Sequence, residues 1–247
     1  MIANPWQVQI YGWGSDLEHL AQYFVSTPRR IVKDERDASF LYESDTFEGY
    51  DQPDQVLKLA NEELHVLSGV LKVTRNSPEP LRTGGVYKKN ASGGKDAFIY
   101  ISETLHVHDE VDEVTITSID HHGNTITRPI PPPRTVAIAQ LAAADAAVAK
   151  VMRLFAAPDH KSWVSMYRIH EVIEADTGGE HRLKTRGWGS VQDLSRFKHS
   201  ANSVTVAGDS ARHGKELARP PTNPMTIDEG VAYLNYVLQS WLSSKSA

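Results

Sequence analysis

The sequence has no cysteine. That excludes disulfides, thiolate nucleophiles and every cysteine-based zinc or iron–sulfur site, and it sits with a reducing compartment. Long apolar runs are also missing. The richest, residues 136–151, is mostly alanine and carries Gln140 and Asp145, short of the roughly eighteen uninterrupted apolar residues a membrane span needs. The opening Met1-Ile-Ala-Asn-Pro-Trp6 lacks the basic and then apolar order of a secretion signal. The expectation is a soluble, cytoplasmic chain with no membrane partner. Phosphate-loop and nucleophile-elbow motifs are absent as well. Gly84-Gly85 and Ser92-Gly93-Gly94 lack the following Lys-Ser/Thr and read as turns, and no Gly-x-Ser-x-Gly occurs. There is no internal repeat.

What is present is ordinary globular material. Hydrophobic residues make up 40% and charged residues 23%, enough for a core and too apolar for a disordered chain. At about 150 residues per domain, the 247 residues suit one large domain or two modest ones. The segment Pro129-Ile-Pro-Pro-Pro133 cannot continue a helix or a central strand, so it marks a linker over residues 129–133. Cutting there separates charge. Residues 1–133 carry 12 Lys+Arg against 20 Asp+Glu, net −8, and residues 134–247 carry 14 against 11, net +3.

The first part, residues 1–128, alternates strand and helix periods. Trp6 to Tyr11 alternates at period two, and Ser15 or Asp16 can cap a helix whose face holds Leu17, Leu20 and Phe24. Strands follow at 30–33 and 39–43, then a helix over 53–67 that Gly69 ends before a strand at 71–74. The order βαββαβ allows a ferredoxin-like core, an arrangement other α+β topologies share. Further strands are expected at 85–89, 97–105, 113–119 and 125–128. The part from 134 onward is helical: segments 135–157, 161–176, 190–201 and 226–241 predict a small bundle. Ser190 with Asp193, and Thr226 with Glu229, have capping-box spacing. The fold class is α+β, with a mixed N-terminal domain followed by an all-α domain.

Chemistry is suggested in the helical half. Residues 181–219 hold Arg182, Lys184, Arg186, Arg196, Lys198, Arg212, Lys215 and Arg219 against Asp193, Asp209 and Glu216. A local cationic excess of this kind suits phosphate, and it also suits a plain solvated surface. At 100° per residue Arg196 and His199 share a helix face opposite Leu194 and Phe197. Arg212 and His213 lie in a long loop that closes at Pro220-Pro221, and such loops are often functional. Arginine neutralises phosphate, and histidine can move the proton of a ribose 2′-hydroxyl near neutral pH without metal. The candidate catalytic residues are therefore Arg212, His213, Arg196, His199 and Asn202, with Arg186, Lys198 and Lys215 for substrate. The alternative for the loop is that Arg212 pairs with Glu171, Glu174 or Asp209 and holds it shut. His170, on an apolar face, reads as a satisfied core histidine. His106-Val-His108 with Asp109, Glu110 and His121-His122 is the one metal-like grouping; it reads first as a strand end and hairpin tip, and no metal is expected. No cofactor is expected.

The stretch Trp163-Val-Ser-Met-Tyr-Arg-Ile-His-Glu-Val-Ile-Glu-Ala-Asp176, with Arg196-Phe, Ala201-Asn202, Gly208-Asp209, Ala211-Arg212-His213-Gly214 and the closing helix to Trp241, resembles the C-terminal half of bacterial proteins with HEPN-like helical domains. The resemblance covers about the last 90 residues. It implies a helical fold, RNA as ligand, a place in bacterial conflict or antiviral defence systems, and metal-independent endoribonuclease activity at a homodimer interface. HEPN ribonucleases pair an arginine with a histidine four to six residues later. Here two residues separate Arg196 from His199, none separates Arg212 from His213, and Arg153 and His160 are split by Pro158. A non-catalytic module that binds nucleic acid or protein is the alternative the same residues support. The acidic N-terminal domain is expected to recognise a separate protein or ligand.

Overall fold

A computed structural model describes residues 5–90, 94–98, 133–215 and 219–245. The chain divides into two compact units, Met1–Ala137 and Ile138–Ala247. The strands expected at 113–119 and 125–128, the greater part of 97–105, and linker residues 129–132 lie outside the described residues.

The first unit is built on an antiparallel sheet. Its strands are β1 (Trp6–Tyr11), β2 (Val25–Ser26), β3 (Arg29–Lys33), β4 (Phe40–Ser44), β5 (Arg82–Lys89) and β6 (Lys95–Phe98), in the order β2-β3-β4-β1-β5-β6. Helix α1 (Gly14–Tyr23) connects β1 to the β2–β3 hairpin, and α2 (Pro53–Arg75) connects β4 to β5. The four strands β3-β4-β1-β5 with these two helices have ferredoxin-like connectivity, and β2 and β6 extend the sheet at its two edges. Alternation along β1 puts Trp6, Val8 and Ile10 on one face, and Val8 stands opposite both Tyr42 and Val86. These residues are buried, as are Val56, Ala60, Leu64 and Leu67 of α2.

Two local expectations are corrected here. Helix α2 does not stop at Gly69. It runs on to Arg75, and residues 71–74 are helical, so the fourth strand of the core is β5. A helical glycine costs about 1 kcal/mol relative to alanine, and burial of Val70 and Leu71 outweighs that cost. The helix ends instead at Asn76, whose φ of 55° supplies the left-handed cap. Ser15 and Asp16 do not cap α1, whose N-cap is Trp13. Asp16 is buried in the first turn and accepts from Arg75 Nε at 2.7 Å.

Helix α3 (Arg134–Ala144) begins in the first unit. The second unit continues with α4 (Ala146–Ala156), α5 (Trp163–Thr177), α6 (Glu180–Thr185), α7 (Val191–Asn202), α8 (Val204–Ala207) and α9 (Ile227–Lys245). The single helix expected over 135–157 is split at Asp145. Its backbone is extended and its carboxylate accepts from the amides of Ala147 and Val148, making it the cap of a new helix. Both expected caps form, and the one at Thr226 is a full capping box. Ser190 Oγ accepts from the Asp193 amide, and Thr226 and Glu229 cap each other reciprocally.

The core of this unit centres on Phe197, whose ring lies within 5.0–6.3 Å of the rings of Trp163, Tyr167, His170 and Tyr233. Gly230 lets α9 approach α5, because a Cβ there would come within 2.9 Å of the Trp163 ring. The α9 stripe is carried by Tyr233, Leu234, Val237, Leu238, Trp241 and Leu242. Ile227, in the first turn, is 41% exposed and precedes the packed part of the helix.

Candidate functional site

Helix α7 is fixed at its start by the Ser190 cap and at its centre by buried Leu194 and Phe197. Its opposite face presents Arg196 and His199, as the 100° spacing predicts. Both side chains reach the segment that precedes α9. Arg196 donates from Nε to the Asn223 carbonyl at 3.2 Å and from Nη2 to the Pro224 carbonyl at 3.3 Å and to Glu229. His199 Nε2 lies 2.9 Å from the Arg219 carbonyl oxygen. A carbonyl only accepts, so Nε2 carries the proton, and in the neutral ring Nδ1 is the basic nitrogen.

Two open grooves meet at Arg196. The larger, about 570 Å³, is lined by Gly187, Gly189, Asp193, Glu229, Tyr233 and Tyr236 together with Arg196. The smaller, about 320 Å³, is lined by His199, Arg219, Pro220, Pro221 and Asn223, again with Arg196. Tyr236 is 55% exposed. Gly187 and Gly189 have φ of 68° and 90°, and a Cβ on Gly189 would meet the Tyr233 ring at 2.7 Å, so bare backbone forms this wall.

Other residues singled out from the sequence are placed elsewhere. Arg212 donates to Glu171 at 2.8 Å and lies over the Tyr167 ring, 4.4 Å from its centroid. Its amide also donates to the Ala201 carbonyl. This is the closed-loop arrangement, with Glu171 as the partner. His213, next in sequence, is half-buried and does not join Arg196 and His199 as a groove-lining residue. Lys198 forms ion pairs with Glu174 and Glu180, each at 2.7 Å. Arg186 lies over the Trp188 ring at 5.0 Å, and Lys215 is exposed. Asn202 ends α7 with a buried Oδ1 that has no hydrogen-bond partner. His106, His108, His121 and His122 lie outside the described residues. Among the described residues there is no cluster of three or more His, Asp or Glu able to hold a metal, and no helix is long and apolar enough to cross a membrane.

Sequence reasoning missed Tyr233. Its hydroxyl lies 3.3 Å from His170 Nε2, and His170 Nδ1 is 3.4 Å from Glu174, which Lys198 pairs in turn. Burial, reinforced by the positive charge of Lys198, pulls the His170 imidazole down to about 4. Burial likewise raises the Tyr233 hydroxyl. His170 is therefore neutral and Tyr233 a protonated donor at neutral pH. Hydrogen bonds from Lys184 and then Lys198 hold Glu180 at about 2. Spacing of four between His170 and Glu174 signalled half of this cluster, but nothing local linked it to a residue 63 positions away.

No family model, curated protein or solved structure matches the chain.

Proposed function

We propose that the helical unit binds single-stranded RNA along the two grooves that share Arg196, without cutting it. The observation that carries this reading is their lining: an exposed aromatic ring, Tyr236, on one side of Arg196, and Arg219 with His199 on the other. Single strands are held by this combination of stacking surfaces and cationic side chains. The charge division supports it, since residues 134–247 are net positive and residues 1–133 strongly negative. A place in a bacterial conflict or defence system is what the HEPN-like resemblance adds.

Cleavage is the second reading, favoured by Arg196 and His199 lining one groove. His199 Nδ1 could take a 2′-hydroxyl proton. Expulsion of the 5′-oxygen also needs a proton donor, and the groove contains one histidine. Binding therefore requires fewer groups than the protein must supply for turnover.

The test is fluorescence anisotropy of a labelled 12-nucleotide single-stranded RNA, with a parallel gel assay in EDTA. Binding that weakens steeply with salt and falls on Arg219→Glu supports the proposal. Absence of binding at low salt overturns it. Cleavage in EDTA that His199→Ala abolishes replaces it with the catalytic reading.

A further inference from the structure

The larger groove carries a donor and an acceptor that are held only by a long ion pair with each other, with no hydrogen bond. Arg196 commits Nε and Nη2 to the carbonyls of Asn223 and Pro224 and to Glu229. Its Nη1 has only Asp193 Oδ1, at 3.7 Å, beyond hydrogen-bond reach. Asp193 accepts from Ser190 Oγ at 2.8 Å through Oδ2, which leaves Oδ1 with the same long contact and no hydrogen bond. Arg196 and Asp193 both line the groove beside Tyr236 and the side-chain-free wall at Gly187 and Gly189.

A guanidinium N–H beside a carboxylate oxygen complements a ligand edge that offers an acceptor next to a donor. Every base has such an edge, but only guanine continues it with a second donor: O6, then N1–H, then the N2 amine. Arginine donates to O6, and the one carboxylate oxygen without a hydrogen bond, with two lone pairs, accepts from N1–H and N2–H together. Adenine and cytosine offer the carboxylate one amino group, and uracil one imide N–H. A purine also covers more of a tyrosine ring than a pyrimidine does.

We infer that this groove selects guanine in single-stranded RNA. The base stacks on Tyr236 and is read by Arg196 Nη1 and Asp193 Oδ1. The inference rests on the RNA-binding reading above and adds the identity of the base.

The experiment compares labelled A8 RNA with the same octamer carrying one central guanosine, inosine or uridine, by anisotropy at fixed salt. Guanosine is expected to tighten binding about tenfold over A8, the scale of one good two-point base contact. Inosine, which lacks the N2 amine, falls between. In Asp193→Asn, which keeps an oxygen for the Ser190 hydroxyl, the guanosine-to-adenosine affinity ratio falls towards one. Equal affinity for all four octamers, or a preference for adenosine or uridine, overturns guanine selection and leaves RNA binding standing. Failure of every octamer to bind overturns the reading beneath it.

Discussion

Two arginine–histidine pairs in the helical unit look alike in sequence and differ in use. Arg196 and His199, three apart on α7, line a common groove. Arg212 and His213, adjacent in a loop, do not: Arg212 lies on Tyr167 and Glu171, where it ties the loop to α5. Neighbours on an irregular chain need not point together, whereas residues three apart on a helix must. Both arginines hold a segment in place, Arg196 the one before α9 and Arg212 its own loop; the first pair also lines a groove.

His170 sits next to both pairs: its neighbour Glu171 holds Arg212, and its ring lies 5.3 Å from that of Phe197, the residue after Arg196. The largest expected effect is a pH dependence. The folded-state value of His170, about 4, lies below the ordinary 6.5. Its contribution is therefore fully present above pH 6.5 and is lost as pH falls towards 4, because the unfolded chain takes up the proton first. The loss is about 3 kcal/mol. Denaturant unfolding at pH 7, 5.5 and 4 should show this slope, and His170→Phe should flatten it.

Next in size is Arg196→Ala, which removes charged hydrogen bonds to two carbonyls and a carboxylate and should cost about 2 kcal/mol of stability. Arg196→Lys should not restore it, since one ammonium cannot reproduce the planar fork. Thermal unfolding of both variants checks this. If Arg196→Ala costs nothing, the groove between α7 and the segment before α9 is not held as described. Tyr236→Ala should weaken RNA binding about tenfold with little change in melting temperature, because the side chain is largely exposed. Smallest is Arg212→Ala, a partly exposed pair with one ring contact, at about 1 kcal/mol or less. Its RNA affinity should stay within about twofold of the parent. A larger loss of affinity would erase the contrast between the two pairs.

Much of the fold was legible because the signals were local and periodic. The alternation of Trp6–Tyr11, the caps at Ser190 and Thr226 and the face shared by Arg196 and His199 depend on residues within a turn or two of one another. The misreadings came where a local signal competed with burial or with another local signal. Gly69 looked like a stop until Val70 and Leu71 are seen to be buried, and Asp145, a polar residue in an alanine-rich run, proved to be a cap.

The sequence by itself determined the α+β class, the charge division, the starts of α7 and α9 and the helical face on which Arg196 and His199 lie, because hydrophobic period, capping chemistry and formal charge are written in neighbouring residues. Only the tertiary structure decided that β5 completes the sheet core, that Arg212 closes a loop, that Tyr233 meets His170, and that Arg196 and Asp193 keep a donor and an acceptor without hydrogen bonds beside Tyr236. Each of those depends on packing between residues far apart in the chain, where the partner that satisfies a polar group is chosen by which elements come into contact.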